Sequence, residues 1–204
     1  LSELPYDFVR KRLSVSVDRN GRQVLLTKGA LAHVLEVCKT ARKGPESVVP
    51  LADVRAEIQS RFEAMSREGL RILGVAEKPH AGPDLTREDE AEMTFLGFVA
   101  LADPPRPDAA ALLGELQGLG IGLKIITGDN RAVAETISRR VGFEDPVILT
   151  SQDLHTLDDQ MLSLRAQRVD VFAEVEPNQK ERIIRALQRA GETVGYLGDG
   201  INDA

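Results

Sequence analysis

Residues 123–130, LKIITGDN, set a short apolar strand directly before a hydroxyl, a glycine and an acid. The design recurs where VDVFA (169–173) runs into Glu174 and then Lys180, and where TVGYL (193–197) runs into GDGIND. Helical segments separate these strands. Asn130 to Val141 carries Val133, Ile137 and Val141 at helical spacing, and Pro177 to Ala190 carries Ile183, Ile184 and Leu187. VILT (147–150) is a further short strand. Upstream, FLGFVALAD (95–103) is a near-continuous apolar strand stopped by Pro104-Pro105, and a helix with Leu112, Leu113, Leu116 and Leu119 ends at Gly120. Buried strands alternating with helices predict a parallel sheet covered on both faces, a Rossmann-like α/β arrangement over residues 96–204.

Residues 1–95 have a different rhythm and predict a compact α+β domain. RLSVSVD (12–18) alternates Leu13, Val15 and Val17 with polar residues, the pattern of a half-buried strand. Asp18-Arg-Asn20-Gly21 supplies the positive-φ residues of a tight hairpin, and QVLLTKG (23–29) returns as the partner strand. Leu31, Val34, Leu35 and Cys38 share one helical face, which makes Cys38 a core thiol. Leu51, Val54, Ile58, Phe62 and Met65 predict a second amphipathic helix ended by Gly69, and RILGVA (71–76) predicts a strand. The polar stretch 79–92, with Pro and Gly, reads as a loop or linker.

The chain has 204 residues, of which 42% are hydrophobic. That suffices for one large core or two modest ones and excludes a disordered class. A lone cysteine excludes an intrachain disulfide. The longest apolar run, Phe95 to Ala102, falls far short of the ~18–20 residues of a membrane span, and LSELPYDFVRKR at the start has no apolar signal core. The net charge of −6 disfavours a nucleic-acid partner. Residues 1–95 balance 15 basic against 15 acidic side chains, whereas residues 96–204 hold 11 against 17, so the acidic excess lies in the second half. A solvated surface accounts for such an excess, and so does a site that needs a cation.

Ligands of doubly wound sheets bind at the carboxyl ends of the strands. The hydroxyl of Thr127 and the amides of Gly128 and Asp129, at a strand-to-helix turn, suit a phosphate. Lys180 adds a point charge, and the acidic, Gly-rich loop 198–203 suits Mg²⁺. Singly, these are also an ordinary helix cap, a solvated helix lysine and a common turn. Together they make a Mg²⁺–phosphoryl constellation. His33, His80 and His155 are scattered and are read as neither ligands nor bases, and Asp103 and Arg106 as packing and capping residues.

TGDN, FAEVEPNQKERI and GYLGDGINDA, in this order, resemble the phosphorylation domain of the P-type cation ATPases, which has the haloacid-dehalogenase-like fold. ALADPPRP resembles that family's hinge segment. ELPYDFVRKRLSV, ILTSQDLHTLDD and the wording GDGINDA are most similar to the bacterial magnesium-importing members. The resemblance implies a nucleotide-binding domain over 1–95 joined to a partial phosphorylation domain over 96–204, with ATP and Mg²⁺ as cofactors. It implies adenine stacking on Tyr6, where the family commonly has Phe, and nucleotide contacts from Lys11, from Lys28 and Gly29 of the K-G-A motif, and from Arg71. In the second domain it gives Thr127 and Gly128 the γ-phosphate, Asp129 the hinge-side nucleotide, Lys180 the phosphate oxygens and Asp199 the Mg²⁺. Asn202 and Asp203 would orient the phosphate and its surroundings. The parent protein is expected in a membrane, with these domains cytoplasmic and the transported cation, Mg²⁺ by likeness, passing through helices absent from this sequence.

The family's nucleophile is the aspartate of D-K-T-G-T, a string that does not occur here. The expectation is therefore a piece of the pump that binds ATP without forming an aspartyl phosphate. The other readings are a soluble haloacid-dehalogenase-type phosphatase, against which Lys28-Gly29-Ala30 and DPPR speak, and a non-catalytic nucleotide-binding module.

Overall fold

The computed structural model describes residues 2–45, 47–80, 82 and 84–198. Two units divide the chain: residues 1–65 with 70–102, and residues 66–69 with 103–204. Asp199, Asn202 and Asp203 lie outside the described residues.

The first unit is a seven-stranded sheet with helices. Its strands are β1 (Glu3–Asp7), β2 (Arg12–Arg19), β3 (Arg22–Ala30), β4 (Cys38–Arg42), β5 (Val48–Pro50), β6 (Leu70–Pro79) and β7 (Met93–Ala102). They lie in the order β1-β2-β3-β6-β7-β4-β5, and every pair is antiparallel except β4 with β7. Asn20 and Gly21 take φ of 56° and 77° at the β2–β3 hairpin, and Asp18 Oδ1 accepts from Gly21 N at 2.9 Å, as the turn residues predict. Helices α1 (Leu31–Leu35) and α2 (Leu51–Arg67) supply Leu31, Val34, Leu51, Val54 and Ile58 to a core shared with Leu25, Ala76, Met93 and Phe95. Burial of these side chains contributes ~25 cal/mol per Å² of apolar surface and sets the sheet's inner face.

Strand β2 is inside out relative to its alternation. Ser14 and Ser16 are buried, while Leu13, Val15 and Val17 are half-buried on the opposite face. The serine is tolerated because its partners are also inside: Ser14 Oγ lies 2.6 Å from Thr27 Oγ1 and donates to Glu90 Oε1 at 2.6 Å. With the Ser14 proton committed to Glu90, the Thr27 hydroxyl is the donor of the pair.

Two further expectations change in this unit. Helix α1 stops at Leu35, and Cys38 opens β4 instead of completing a helical face. Its Sγ donates to the Val34 carbonyl at 3.1 Å, and burial pushes the thiol pKa up to about 12, so it remains an inert thiol against the core. The FLGFVALA strand belongs to the first sheet: β7 pairs along β6 from Leu70↔Ala102 to Glu77↔Thr94. Its outer half is not buried, with Val99 41% and Leu101 46% exposed. Gly97, at φ 148°, sits at the irregularity in this pairing, a conformation that favours glycine.

The second unit has a three-stranded parallel sheet of β8 (Ile125–Ile126), β9 (Ile148–Thr150) and β10 (Val171–Ala173), with β10 central. Its helices are α3 (Ala109–Gly118), α4 (Arg131–Arg140), α5 (Ser151–Thr156), α6 (Asp159–Ala166) and α7 (Pro177–Arg189). Strand β10 is fully buried on both faces. Phe172 packs with Leu154, Leu162 and Ile183 of α5, α6 and α7, and Val171 and Ala173 pack with Ala134 of α4 and Ile148. Helices therefore cover both faces, as the alternating pattern predicts. Helix α4 begins where Asn130 Oδ1 accepts from Val133 N at 3.1 Å, and α7 where Pro177 occupies the first turn.

The TVGYL segment is not a strand: residues 193–197 carry no regular structure, and Leu197 is 97% exposed. It is short, and Gly195 within it weakens any strand it could form. Of the α3 leucines only Leu113 is buried, with Leu112 49% exposed, and Leu119, which caps the helix, is 76% exposed.

Candidate functional site

The pairing registers of the first sheet bring three of the nucleotide candidates, Tyr6, Lys28 and Arg71, onto one face. Leu4 pairs with Ser14 and Asp7 with Arg12, so the extra residue between them sets Pro5 and Tyr6 together opposite Leu13. Leu13 pairs with Lys28, Lys28 with Val75, and Val75 with Gly97. Directly paired residues share a face, so Leu13, Lys28, Val75 and Gly97 form a transverse row, and Tyr6, one of the two β1 residues set opposite Leu13 by the irregularity, lies at its end. At ~4.8 Å per strand the Tyr6 and Lys28 backbones are about 10 Å apart. Arg71 lies four residues along β6 from Val75, hence on the same face and about 13 Å away. This face is open. Leu13, Val15, Leu26, Leu73 and Val75 are half-buried, Lys28 and Arg71 exposed, and Tyr6 50% exposed.

Tyr6 meets Phe8 edge to face, with ring centroids 5.4 Å apart. The turn that follows is tightly held. Asp7 Oδ1 accepts from Val9 N at 2.7 Å and Arg10 N at 3.1 Å, bonds that hold the Asp7 carboxyl below its ordinary pKa. Lys11 has φ 48°, unusual for a side-chain-bearing residue, and its N donates to the Asp7 carbonyl at 2.6 Å. Its carbonyl accepts from Ala30 N at 2.9 Å. Gly29 is required here: a Cβ would press on the Lys11 carbonyl and stand 2.5 Å from Arg12 Cβ.

Behind the turn sits a carboxylate that sequence reasoning missed. Glu90 closes the 79–92 loop, and its side chain is 0% exposed. It accepts from Arg10 Nη1 at 2.6 Å, Arg12 Nε at 2.8 Å and Ser14 Oγ at 2.6 Å. Burial pushes its pKa up, but the three donors together outweigh burial and hold it below the ordinary glutamate value. The loop is no linker, since it also buries Leu85. The trace in the sequence is two arginines flanking Lys11 and an acidic run, REDEAE (87–92), inside the stretch that reads as a loop or linker.

In the second unit the parallel register Ile126↔Phe172 aligns the ends of β8 and β10. Thr127 N donates to the Phe172 carbonyl at 2.9 Å, and the Thr127 carbonyl accepts from Val175 N at 3.0 Å. Thr127 Oγ1 donates to Asp129 Oδ2 and accepts from Asp129 N, both at 3.1 Å. Glu174, at φ 60°, donates its N to the Asp129 carbonyl at 2.9 Å, and its Oε1 accepts from Arg131 N at 3.2 Å. The Thr127-Gly128-Asp129 turn is thus tied to the end of β10. Lys180 is the fourth residue of α7, which opens from that same end, and it is half-buried. A Cβ at Gly128 would come no closer than 3.8 Å to the Val175 carbonyl, so packing does not demand glycine there.

Among the described residues an open cavity of about 440 Å³ is lined by Leu4, Tyr6, Asp7, Phe8, Arg10 and Arg87 among others. Another, of about 610 Å³ between α6 and α7, contains no candidate residue. Among the described residues no three His, Cys, Asp or Glu side chains gather as a metal site.

The sequence pattern described as "P-type ATPase, cytoplasmic domain N" matches residues 1–108, which take in all seven strands of the first sheet. The chain belongs to the P-type ATPase family. Among P-type ATPases it is similar to "Magnesium-transporting ATPase, P-type 1" of Escherichia coli K12, 40% identical over 100% of this chain and 23% of that protein. It is 39% identical to the protein of the same name from Salmonella typhimurium LT2, again over 100% of this chain and 23% of that protein. "Calcium-transporting ATPase 3, endoplasmic reticulum-type" of Arabidopsis thaliana is 35% identical over 96% of this chain and 20% of its own length. This P-type ATPase chain therefore spans about a quarter of the curated relatives it matches. Among its described residues no helix is long and apolar enough to cross a membrane.

Proposed function

We propose that the chain binds ATP on the open face of the first sheet and supplies part of the phosphoryl-transfer site of a membrane-embedded, ATP-driven cation pump. The observation that carries this reading is the transverse row that aligns Tyr6 with Lys28, with Arg71 on the same face. Tyr6 stacks the adenine, half-buried aliphatic side chains exclude water beneath it, and Lys11, Lys28 and Arg71 meet ribose and phosphates. Gly29 lets the Lys11 turn lie flat on β3, which sets where that lysine emerges.

The second unit is the phosphorylation domain, with a haloacid-dehalogenase-like fold. Three parallel strands between helices, and a hydroxyl turn at their carboxyl end, support this. The Gly128 amide holds the γ-phosphate, joined by the Thr127 hydroxyl when its one proton turns from Asp129 Oδ2 to a phosphate oxygen, and a glycine that packing does not require leaves room for its close approach. Lys180 compensates the phosphate charge, and Asp129 N, which donates to Thr127 Oγ1, keeps that oxygen in place. The assigned Mg²⁺ ligand, Asp199, and its neighbours Asn202 and Asp203 lie outside the described residues, so that assignment stands on the GDGIND sequence alone. Bound there, Mg²⁺ would neutralise phosphate oxygens. The relatives named as magnesium-transporting favour Mg²⁺ as the cargo, and this chain then works on the cytoplasmic side of the membrane.

Calorimetric titration of the chain with ATP tests the nucleotide assignment. Tyr6→Ala and Lys28→Ala should each weaken binding about tenfold, the scale of one lost stacking or charge-assisted contact. Unchanged affinity in both variants contradicts it.

A further inference from the structure

Glu90 cannot touch a ligand itself, because its side chain has no exposure and both carboxylate oxygens are taken by donors from β2 and the turn before it. What it holds matters more. Arg10 and Arg12 flank Lys11 and reach Glu90 by separate oxygens, Oε1 and Oε2. Each arginine also anchors a second segment. Arg10 Nη2 donates to the Pro5 carbonyl, next to Tyr6, at 2.9 Å, and Arg12 Nη1 donates to the His33 carbonyl of α1 at 3.1 Å. One carboxylate from a distant loop thus clamps both sides of a residue that is already in the left-handed region.

We propose that Glu90 is a positioning residue for the nucleotide: by gripping Arg10 and Arg12 it fixes the 7–12 turn and the direction in which Lys11 presents its ammonium. This rests on the ATP reading above. Lys11 has a long stem with many rotamers, so its affinity for a phosphate depends on how well its backbone is fixed before binding. A guanidinium holds two acceptors at once only in its planar fork, and Glu90 supplies one acceptor to each fork.

The test is a mutant cycle on the 204-residue chain, read by displacement of trinitrophenyl-ATP with ATP, alongside circular dichroism. Glu90→Gln keeps the size of the side chain and removes its charge. It should weaken ATP about tenfold, within the range by which contacting residues couple. That loss should vanish in a Lys11→Ala background and persist in a Lys28→Ala background. A general loosening of the fold would weaken binding equally in both backgrounds, and that result overturns the proposal, as does wild-type affinity in Glu90→Gln. If Glu90→Gln does not fold, Arg12→Lys, which keeps the cation and loses the fork, enters the same cycle with the same expectations. Absence of ATP binding by the unaltered chain would overturn the ATP reading and this proposal together. Binding that responds to Tyr6→Ala and Lys28→Ala but not to Glu90 or Arg12 would overturn this proposal alone.

Discussion

Arg12 Nε donates to Glu90 Oε2 at 2.8 Å across 78 residues of sequence, and this bond joins the loop before β7 to the strand that faces the candidate nucleotide site. It makes the first unit sensitive to acid. The ordinary glutamate value is 4.5, and the Glu90 carboxyl lies below it: burial raises the pKa, and Arg10, Ser14 and Arg12 together lower it further. The unfolded chain then binds more protons than the folded one, so this stabilisation is complete above pH 4.5 and is lost as pH falls through the folded value. Urea unfolding between pH 7 and pH 3 should show the wild type losing stability on the acid side and Glu90→Gln starting lower with a flatter acid limb. Parallel curves would contradict the assignment.

Ser14 supplies the neutral donor of the same network. Ser14→Ala should cost about 1–3 kcal/mol, because Glu90 and Thr27 each lose a buried partner. Val15→Thr, on the half-exposed face of the same strand, should cost about 1 kcal/mol or less. Urea midpoints decide the order. The reverse order would mean that β2 presents its valines to the core.

Two glycines should respond oppositely to alanine. Gly29→Ala drives a Cβ into the Lys11 carbonyl and Arg12 and should destabilise by about 2 kcal/mol or more. Gly114 lies within α3 with nothing near its missing Cβ, so Gly114→Ala should stabilise by about 0.5–1 kcal/mol. Thermal melts of the pair check both signs.

Asn130 links the phosphate turn to its helix. Removing the Oδ1 acceptor of Val133 N in Asn130→Ala should cost about 1 kcal/mol through α4. Amide exchange should then quicken at Val133 and its neighbours while the first sheet is unchanged.

Legibility of the sequence followed how locally each feature is determined. The β2–β3 hairpin, α2, α4 and α7 were readable because turn residues, caps and apolar spacing lie within one element. The inverted burial of β2 was not, since a serine goes inside only when partners from β3 and a remote loop await it. Cys38 fits a helical spacing that ends when Glu36 caps α1, and α5 and α6 are too short and polar to announce themselves. Apolar content alone puts β7 with the second half, whereas its eight residue pairs with β6 put it in the first sheet. At the candidate site, Thr127-Gly128-Asp129 stood out as a motif and Tyr6 and Lys28 through resemblance. That they fall on a common row depended on a one-residue irregularity in β1, which no local pattern reveals.

The central claim, ATP on the open face of the first sheet, is tested most directly by amide chemical-shift mapping of the chain titrated with ATP. The account predicts the largest changes at Tyr6, Lys11, Leu13, Lys28 and Val75, with the buried positions Leu25 and Ala76 little affected. Saturable changes confined to other surfaces, with that row silent, would contradict it.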